Sequence, residues 1–140
     1  MIVVVDTNVL ISALMKDSVK RRLILLSGDE LVCPEAVIHE IRKHRGGIIT
    51  RSGLDNNGFD SVLEKLLESV ALIPDKETEE HRTESMKLMK GIDIGDAPFI
   101  AAALGIPGSV IWSDDKDLKR QKKIKIMNTK DFLGRFLTSE

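Results

Sequence analysis

Short apolar runs alternate with longer helical patterns along this chain, and that alternation decides most of what it can fold into. "IVVV" (2–5), bounded by Asp6, reads as a buried strand. "ELVC" (30–33), "VALIP" (70–74) and "SVIW" (109–112) repeat the signal. "KIKIM" (123–127) alternates as an edge strand does, with its lysines to solvent. Helical patterns cover about 8–27 with a break near Asp17, then 34–45, 58–69, 76–90 and 94–104. Pro34 suits a first helical position, and Lys43, His44 and Arg45 suit the last turn before Gly46-Gly47. "GGIITRSGLDNN" (46–57) reads as a loop, and a last helix starts near Asn128 or Thr129. The order predicts right-handed βαβ units in an α/β fold. The expected architecture is three-layer α/β/α around a mostly parallel, roughly five-stranded sheet. Residues 1–140 are expected to form one domain.

Composition narrows the setting. No apolar run is long enough to span a membrane and "MIVVVD" lacks the marks of a signal peptide, so a cytoplasmic location is expected. The single cysteine, Cys33, cannot form an internal disulfide, and no Cys/His cluster has zinc spacing. A net charge of −1 argues against binding nucleic acid by overall charge. The cations are uneven, however. Lys116, Lys119, Arg120, Lys122, Lys123, Lys125 and Lys130 crowd the last quarter, and Lys43, His44, Arg45 and Arg51 form a smaller group. A solvated face and a phosphate-contacting patch both fit.

The acids are more telling. In an open parallel sheet, ligands bind beyond the carboxyl ends of the strands, where strand order reverses. Asp6 closes the first strand, and Asp114 and Asp115 close the fourth. Neighbouring strands would bring these carboxylates into one crevice, although Asp6 alone also fits a plain helix cap. Glu40 falls at the edge of the stripe Val37, Ile38 and Ile41 in the second helix. Asp96 shares a face with Phe99, Ile100 and Ala103, with Asp93 one turn earlier and Pro98 disturbing the first turn. Carboxylates gathered in one crevice repel, and a divalent cation with a preference for hard oxygen ligands removes the conflict.

These residues resemble the PIN-domain family, almost end to end. "VVVDTNVLISAL" (3–14) is similar to its opening strand and Asp-Thr-Asn signature, and "PEAVIHEIRKH" (34–44) to the helix carrying its glutamate. "DIGDAPFIAAAL" (93–104), "IWSDDKDL" (111–118) and "MNTKDFL" (127–133) resemble the remaining motifs. The resemblance implies that Asp6, Glu40, Asp96 and Asp115 are the catalytic, metal-binding acids, with Asp93 and Asp117 as helpers. Thr7 and Asn8 would orient the first aspartate, and Ser113 and Asp114 would support the ligands from behind. Asp114 stands where the family commonly has Asn, which leaves open which of Asp114 and Asp115 is the ligand. Strand alternation predicts that the two do not both face the metal. RNA phosphates are expected at Lys116, Lys119, Arg120, Lys43 and Arg45.

The implied activity is a ribonuclease selective for single strands, using one or two Mg²⁺ or Mn²⁺ ions to activate water and leaving a 5′-phosphate and a 3′-hydroxyl. VapC-type toxins belong to the same family, so a homodimer silenced by a small antitoxin is a further expectation. Trp112 and Phe59 are the aromatics weighed for base stacking, Trp112 more as core. A non-catalytic RNA-binding or interaction module on the same scaffold is the main alternative. A Mg²⁺-dependent phosphatase of the haloacid-dehalogenase type is weaker, because it needs a general-acid Asp where Asn8 stands. A receiver domain is weaker too, because the paired acids it needs after the first strand are absent.

Overall fold

The computed structural model describes residues 1–138. Its strands are β1 (Ile2–Val5), β2 (Glu30–Pro34), β3 (Val70–Ile73), β4 (Val110–Trp112) and β5 (Ile126–Met127). They form one parallel sheet in the order β3-β2-β1-β4-β5. Val3, Val4 and Val5 have no exposed surface, as a central strand covered on both faces requires. The chain winds outward from β1 through β2 to β3, then returns to the other side of β1 as β4. Strand order therefore reverses between β1 and β4. Their register pairs Val5 with Trp112, so Asp6 and Ser113 leave the sheet side by side. The Asp6 amide donates to the Trp112 carbonyl at 3.2 Å, which holds the two exits together.

Helices cover the sheet in a three-layer α/β/α arrangement. α1 (Thr7–Ala13) and α2 (Val19–Leu26) follow β1. The expected break falls at Asp17, which adopts φ 58°. Ser18 caps α2 by accepting the Arg21 amide, and the Arg21 guanidinium donates to the Ala13 and Met15 carbonyls left open at the end of α1. α3 (Glu35–Lys43) starts directly after Pro34, which ends β2 rather than opening the helix. Beyond β3, α6 (Asp75–Thr78) and α7 (Arg82–Met89) are separated by a 3-10 turn, and α8 (Ala97–Leu104) follows. The small, buried Ala97, Ala101, Ala102 and Ala103 let α8 lie against β1, β2 and β4. α9 (Thr129–Thr138) begins where expected, with a reciprocal cap. The Asp131 amide donates to Asn128 Oδ1 at 2.8 Å, and the Asn128 amide donates to Asp131 Oδ2 at 3.0 Å.

Beyond Pro34 and the helix expected over 76–90, which the 3-10 turn divides, two larger expectations fail. Residues 46–57 are not a loop. They form α4 (Arg45–Ser52) and open α5 (Asn56–Ser69), and α3 stops at Lys43 instead of running on to the glycines. Gly46 and Gly47 each cost the helix about 1 kcal/mol relative to Ala. Burial of Ile48 and of Ser52, whose carbonyl accepts the Lys16 amide at 2.8 Å, offsets that. The true connection is 53–55, where Gly53 takes the left-handed φ of 77° that ends helices and Asp55 caps α5 through the Gly58 amide at 2.7 Å. The second failure is β5, which spans two residues rather than 123–127. Buried Gln121 draws 121–124 into a loop instead.

Candidate metal centre

The crevice beyond β1 and β4 is built by short loops whose own acids shape them. Asp6 is 3% exposed. Its Oδ1 accepts the Val9 amide at 2.8 Å, so it caps α1 and faces the crevice at once. Burial raises its pKa above the usual carboxylate value. The neighbouring Ser113 hydroxyl and the Val9 amide act against that rise, while the charges on Asp114 and Asp115 add to it. Ser113 is fully buried, and its hydroxyl oxygen accepts the Asp115 amide at 3.0 Å. One hydroxyl thus stands between the two acids, and its proton favours a charged Asp6.

Asp115 opens the 3-10 turn Lys116–Arg120 by accepting the Asp117 amide on Oδ1 at 2.9 Å. Asp93 does the same for the 3-10 turn Ile94–Asp96, accepting the Gly95 amide on Oδ1 at 2.9 Å. A Cβ at Gly95 would stand 3.1 Å from that oxygen, so the turn leaves little room for any side chain there. Asp96 sits between them. One oxygen each from Asp93, Asp96 and Asp115 lies within 4.8 Å of the others. Asp96 Oδ2 is buried and has no hydrogen-bond partner among the described residues. Burial, then the charges on Asp93, Asp115 and Asp6, push its pKa to about 6. The closeness of the Asp115 side chain adds to the rise.

A buried, unpartnered carboxylate oxygen is costly, and acids crowded until one is pushed towards its protonated form are a conflict left for a ligand to resolve. The donor set is entirely hard oxygen, which suits Mg²⁺ or Mn²⁺ and excludes a thiolate- or imidazole-selective metal. The residues therefore fit a divalent cation.

The other candidates fall in different places. Asp114, next in sequence to Asp115, turns away from the crevice. Its carboxylate accepts the Thr129 amide at 2.7 Å and the Thr129 hydroxyl at 2.6 Å, and pairs with Lys20 at 3.1 Å. Burial alone would raise its pKa, but Thr129 and Lys20 outweigh that and hold it below the usual value. Glu40 is exposed and pairs at 3.4 Å with His44, the residue that caps the end of α3, outside the three-acid group. Asp117 contributes its amide to Asp115, while its carboxylate faces Arg120 at 3.9 Å. Thr7 and Asn8 begin α1, but the groups beside the Asp6 carboxylate are the Val9 amide and the Ser113 hydroxyl.

Among the cations, Lys43, Lys116 and Lys119 are exposed, with no acidic partner among the described residues. Arg45 is committed elsewhere: it grips Asp60 through two bonds of 2.8 and 2.9 Å and lies 5.4 Å above the Phe59 ring. Trp112 is buried, stacks on Phe132 at 4.6 Å and donates its indole N–H to Thr129 at 3.0 Å, so neither it nor buried Phe59 offers a face to a base. Burial pushes the Cys33 thiol up to about 12, leaving it inert.

Sequence reasoning missed two supports. Thr129 was legible only as a helix cap, and nothing near Lys20 marks it as the partner of an acid ninety-four residues away. A family model described as the PIN domain matches residues 4–130. No curated protein matches the chain.

Proposed function

We propose that this chain, which belongs to the PIN-domain family, is a divalent-metal-dependent endoribonuclease acting on single-stranded RNA. One observation carries the reading: Asp93, Asp96 and Asp115 converge while Asp96 Oδ2 is buried without a partner. In this reading Asp6, Glu40, Asp96 and Asp115 are the metal ligands, with Asp93 and Asp117 assisting. Glu40 would have to leave His44 to take part. When bound, Mg²⁺ or Mn²⁺ would lower the pKa of a water and offset charge on the scissile phosphate.

The chain's own residues do the rest. Ser113 holds Asp115 by its amide and favours the charged form of Asp6 against the effect of burial. The turn amides of Gly95 and Asp117 fix one oxygen each of Asp93 and Asp115. Without a cation the crevice repels the scissile phosphate, so seating that phosphate and binding metal are linked, while contacts outside the crevice are not. Exposed Lys116, Lys119 and Lys43 would hold flanking phosphates, and Arg120 would exchange Asp117 for one. Arg45, held by Asp60, is the weakest of the five proposed contacts. With Trp112 and Phe59 buried, base stacking adds little and cleavage tolerates many sequences.

The finer reading is a VapC-like toxin: residues 1–140 as one domain, cytoplasmic, homodimeric and silenced by a small antitoxin. A groove of about 550 Å³ between α3, α6, α7 and α8, bordered by exposed Met86 and Ile94, supports an inhibitory partner beside the acids.

The test is cleavage of a labelled single-stranded RNA with Mg²⁺ or Mn²⁺, with and without EDTA. Asp6→Asn is the control, because Asn caps a helix as well as Asp and α1 survives. Cleavage should need metal and be lost in the variant. The enzyme reading fails if wild-type protein cleaves no faster than Asp6→Asn on several RNAs. RNA binding without cleavage would instead identify a non-catalytic module, and metal-dependent hydrolysis of a phosphomonoester alone a phosphatase.

A further inference from the structure

Residues 116–125 carry the chain from the carboxyl end of β4 back to the start of β5. Within them Lys116, Lys119, Arg120, Lys122, Lys123 and Lys125 face a single acid, Asp117, and all seven are exposed. Only Arg120 has an acidic neighbour, Asp117 at 3.9 Å, and no ion pair reaches the lysines among the described residues. Like charges at this density repel, and a free loop would spread to relieve them.

This loop is held closed. Gln121 is 5% exposed, and its side chain sits inside the loop. Nε2 donates to the Leu118 carbonyl at 3.0 Å and the Ile124 carbonyl at 2.8 Å. Oε1 accepts the Lys123 amide at 3.1 Å and the Ile124 amide at 2.9 Å. Both donor hydrogens and both acceptor positions of the amide are used. Leu118 is fully buried beneath, and the Ile111 amide donates to the Lys125 carbonyl at 3.0 Å, tying the far end to β4. The near end is tied by the Asp117 amide to Asp115. A neutral buried side chain thus fixes an array of cations against their repulsion and joins it to the acidic centre.

We propose that the 116–125 loop is a preformed site for the sugar–phosphate backbone of an RNA strand, which it leads along the β5 edge to the acids. The destination of that strand rests on the nuclease reading; the backbone site does not. A five-residue 3-10 segment rises about 10 Å, roughly three stacked nucleotides. Lys122, Lys123 and Lys125 therefore meet phosphates several nucleotides from the cut. The loop has no aromatic residue, so it selects length and charge rather than base. Its exposed side chains are charged, which gives an acidic protein segment no apolar anchor.

The experiment is fluorescence anisotropy with a fluorescein-labelled oligouridine dodecamer in EDTA, titrated across KCl concentrations. Neutralising three cations together, Lys122→Gln, Lys123→Gln and Lys125→Gln, should reduce the slope of log affinity against log salt by about 2 and weaken binding about a hundredfold near 0.1 M. Gln121→Leu keeps the charge and removes the clamp; it should weaken binding about tenfold through lost preorganisation. Melting curves establish that both variants fold. The proposal is overturned if wild type does not bind, if the triple variant keeps the wild-type slope, or if Gln121→Leu binds like wild type. It is also overturned if an aspartate decapeptide displaces the dodecamer as well as unlabelled oligouridine does. Nothing is cut in EDTA, so the result stands whatever the cleavage assay gives. Cleavage by wild type with undiminished binding by the variants would sink the loop reading alone.

Discussion

Replacing Asp96 by Asn should make the metal-free protein more stable and the metal-loaded protein less so. Asp96 is half-buried with an unpartnered oxygen, and its pKa rises from 3.8 to about 6. That rise corresponds to roughly 3 kcal/mol against the charged form, and solvent screening trims it to about 1–2 kcal/mol. The sign follows from linkage. The folded pKa lies above the unfolded one, so the folded state holds its proton longer. The corresponding stability is fully present below about pH 3.8 and is lost as pH rises through about 6. Asn has the same shape, carries no charge and donates to Asp93 or Asp115. In EDTA near pH 7.5, Asp96→Asn should melt about 3–8 °C above wild type, and the gap should shrink several-fold near pH 4.5. With Mn²⁺ about a hundredfold above its dissociation constant, wild type should gain about 2.7 kcal/mol, and the variant little of it. The order of the two melting temperatures then inverts. A variant that melts below wild type in EDTA at neutral pH, or a gap indifferent to pH, refutes the electrostatic account of the centre.

Two further substitutions separate the centre from its supports. Asp114→Ala removes the acceptor of two Thr129 bonds and the Lys20 pair, and should cost about 2–3 kcal/mol in denaturant unfolding while leaving a Mn²⁺-dependent rise in melting temperature; loss of that rise with the fold intact would make Asp114 a ligand. Gly95→Ala forces Asp93 Oδ1 to shift by a few tenths of an ångström and should weaken Mn²⁺ binding several-fold by calorimetry, with the metal-free melting temperature within about 2 °C of wild type; unchanged binding would mean that Asp93 does not contribute.

The sheet was legible because its signal is local. Val3–Val5 and Val110–Trp112 are short apolar runs, and only a covered parallel strand suits them. The switch-point rule said where the acids would gather if the two strands were neighbours, and they are, so Asp6 and Asp115 leave adjacent strands. The turning away of Asp114 was half legible: alternation said one of the pair must leave, but not which, since Thr129 and Lys20 are remote in sequence. The 46–57 stretch misled because glycine content speaks for local preference, while the burial of Ile48 and Ser52 decides the outcome. Glu40 was read as a rim residue at the edge of the buried stripe, but it is exposed, and its pairing with His44 was not foreseen although the i,i+4 spacing was visible. Gln121 gave no signal at all, because a glutamine among lysines reads as surface.

The bonds between Asp114 and Thr129 also have a direction in time. Every acid of the centre is translated before the helix that secures the β4 exit. A ribosome therefore releases Asp6, Asp93, Asp96 and Asp115 into a chain that still lacks the start of α9.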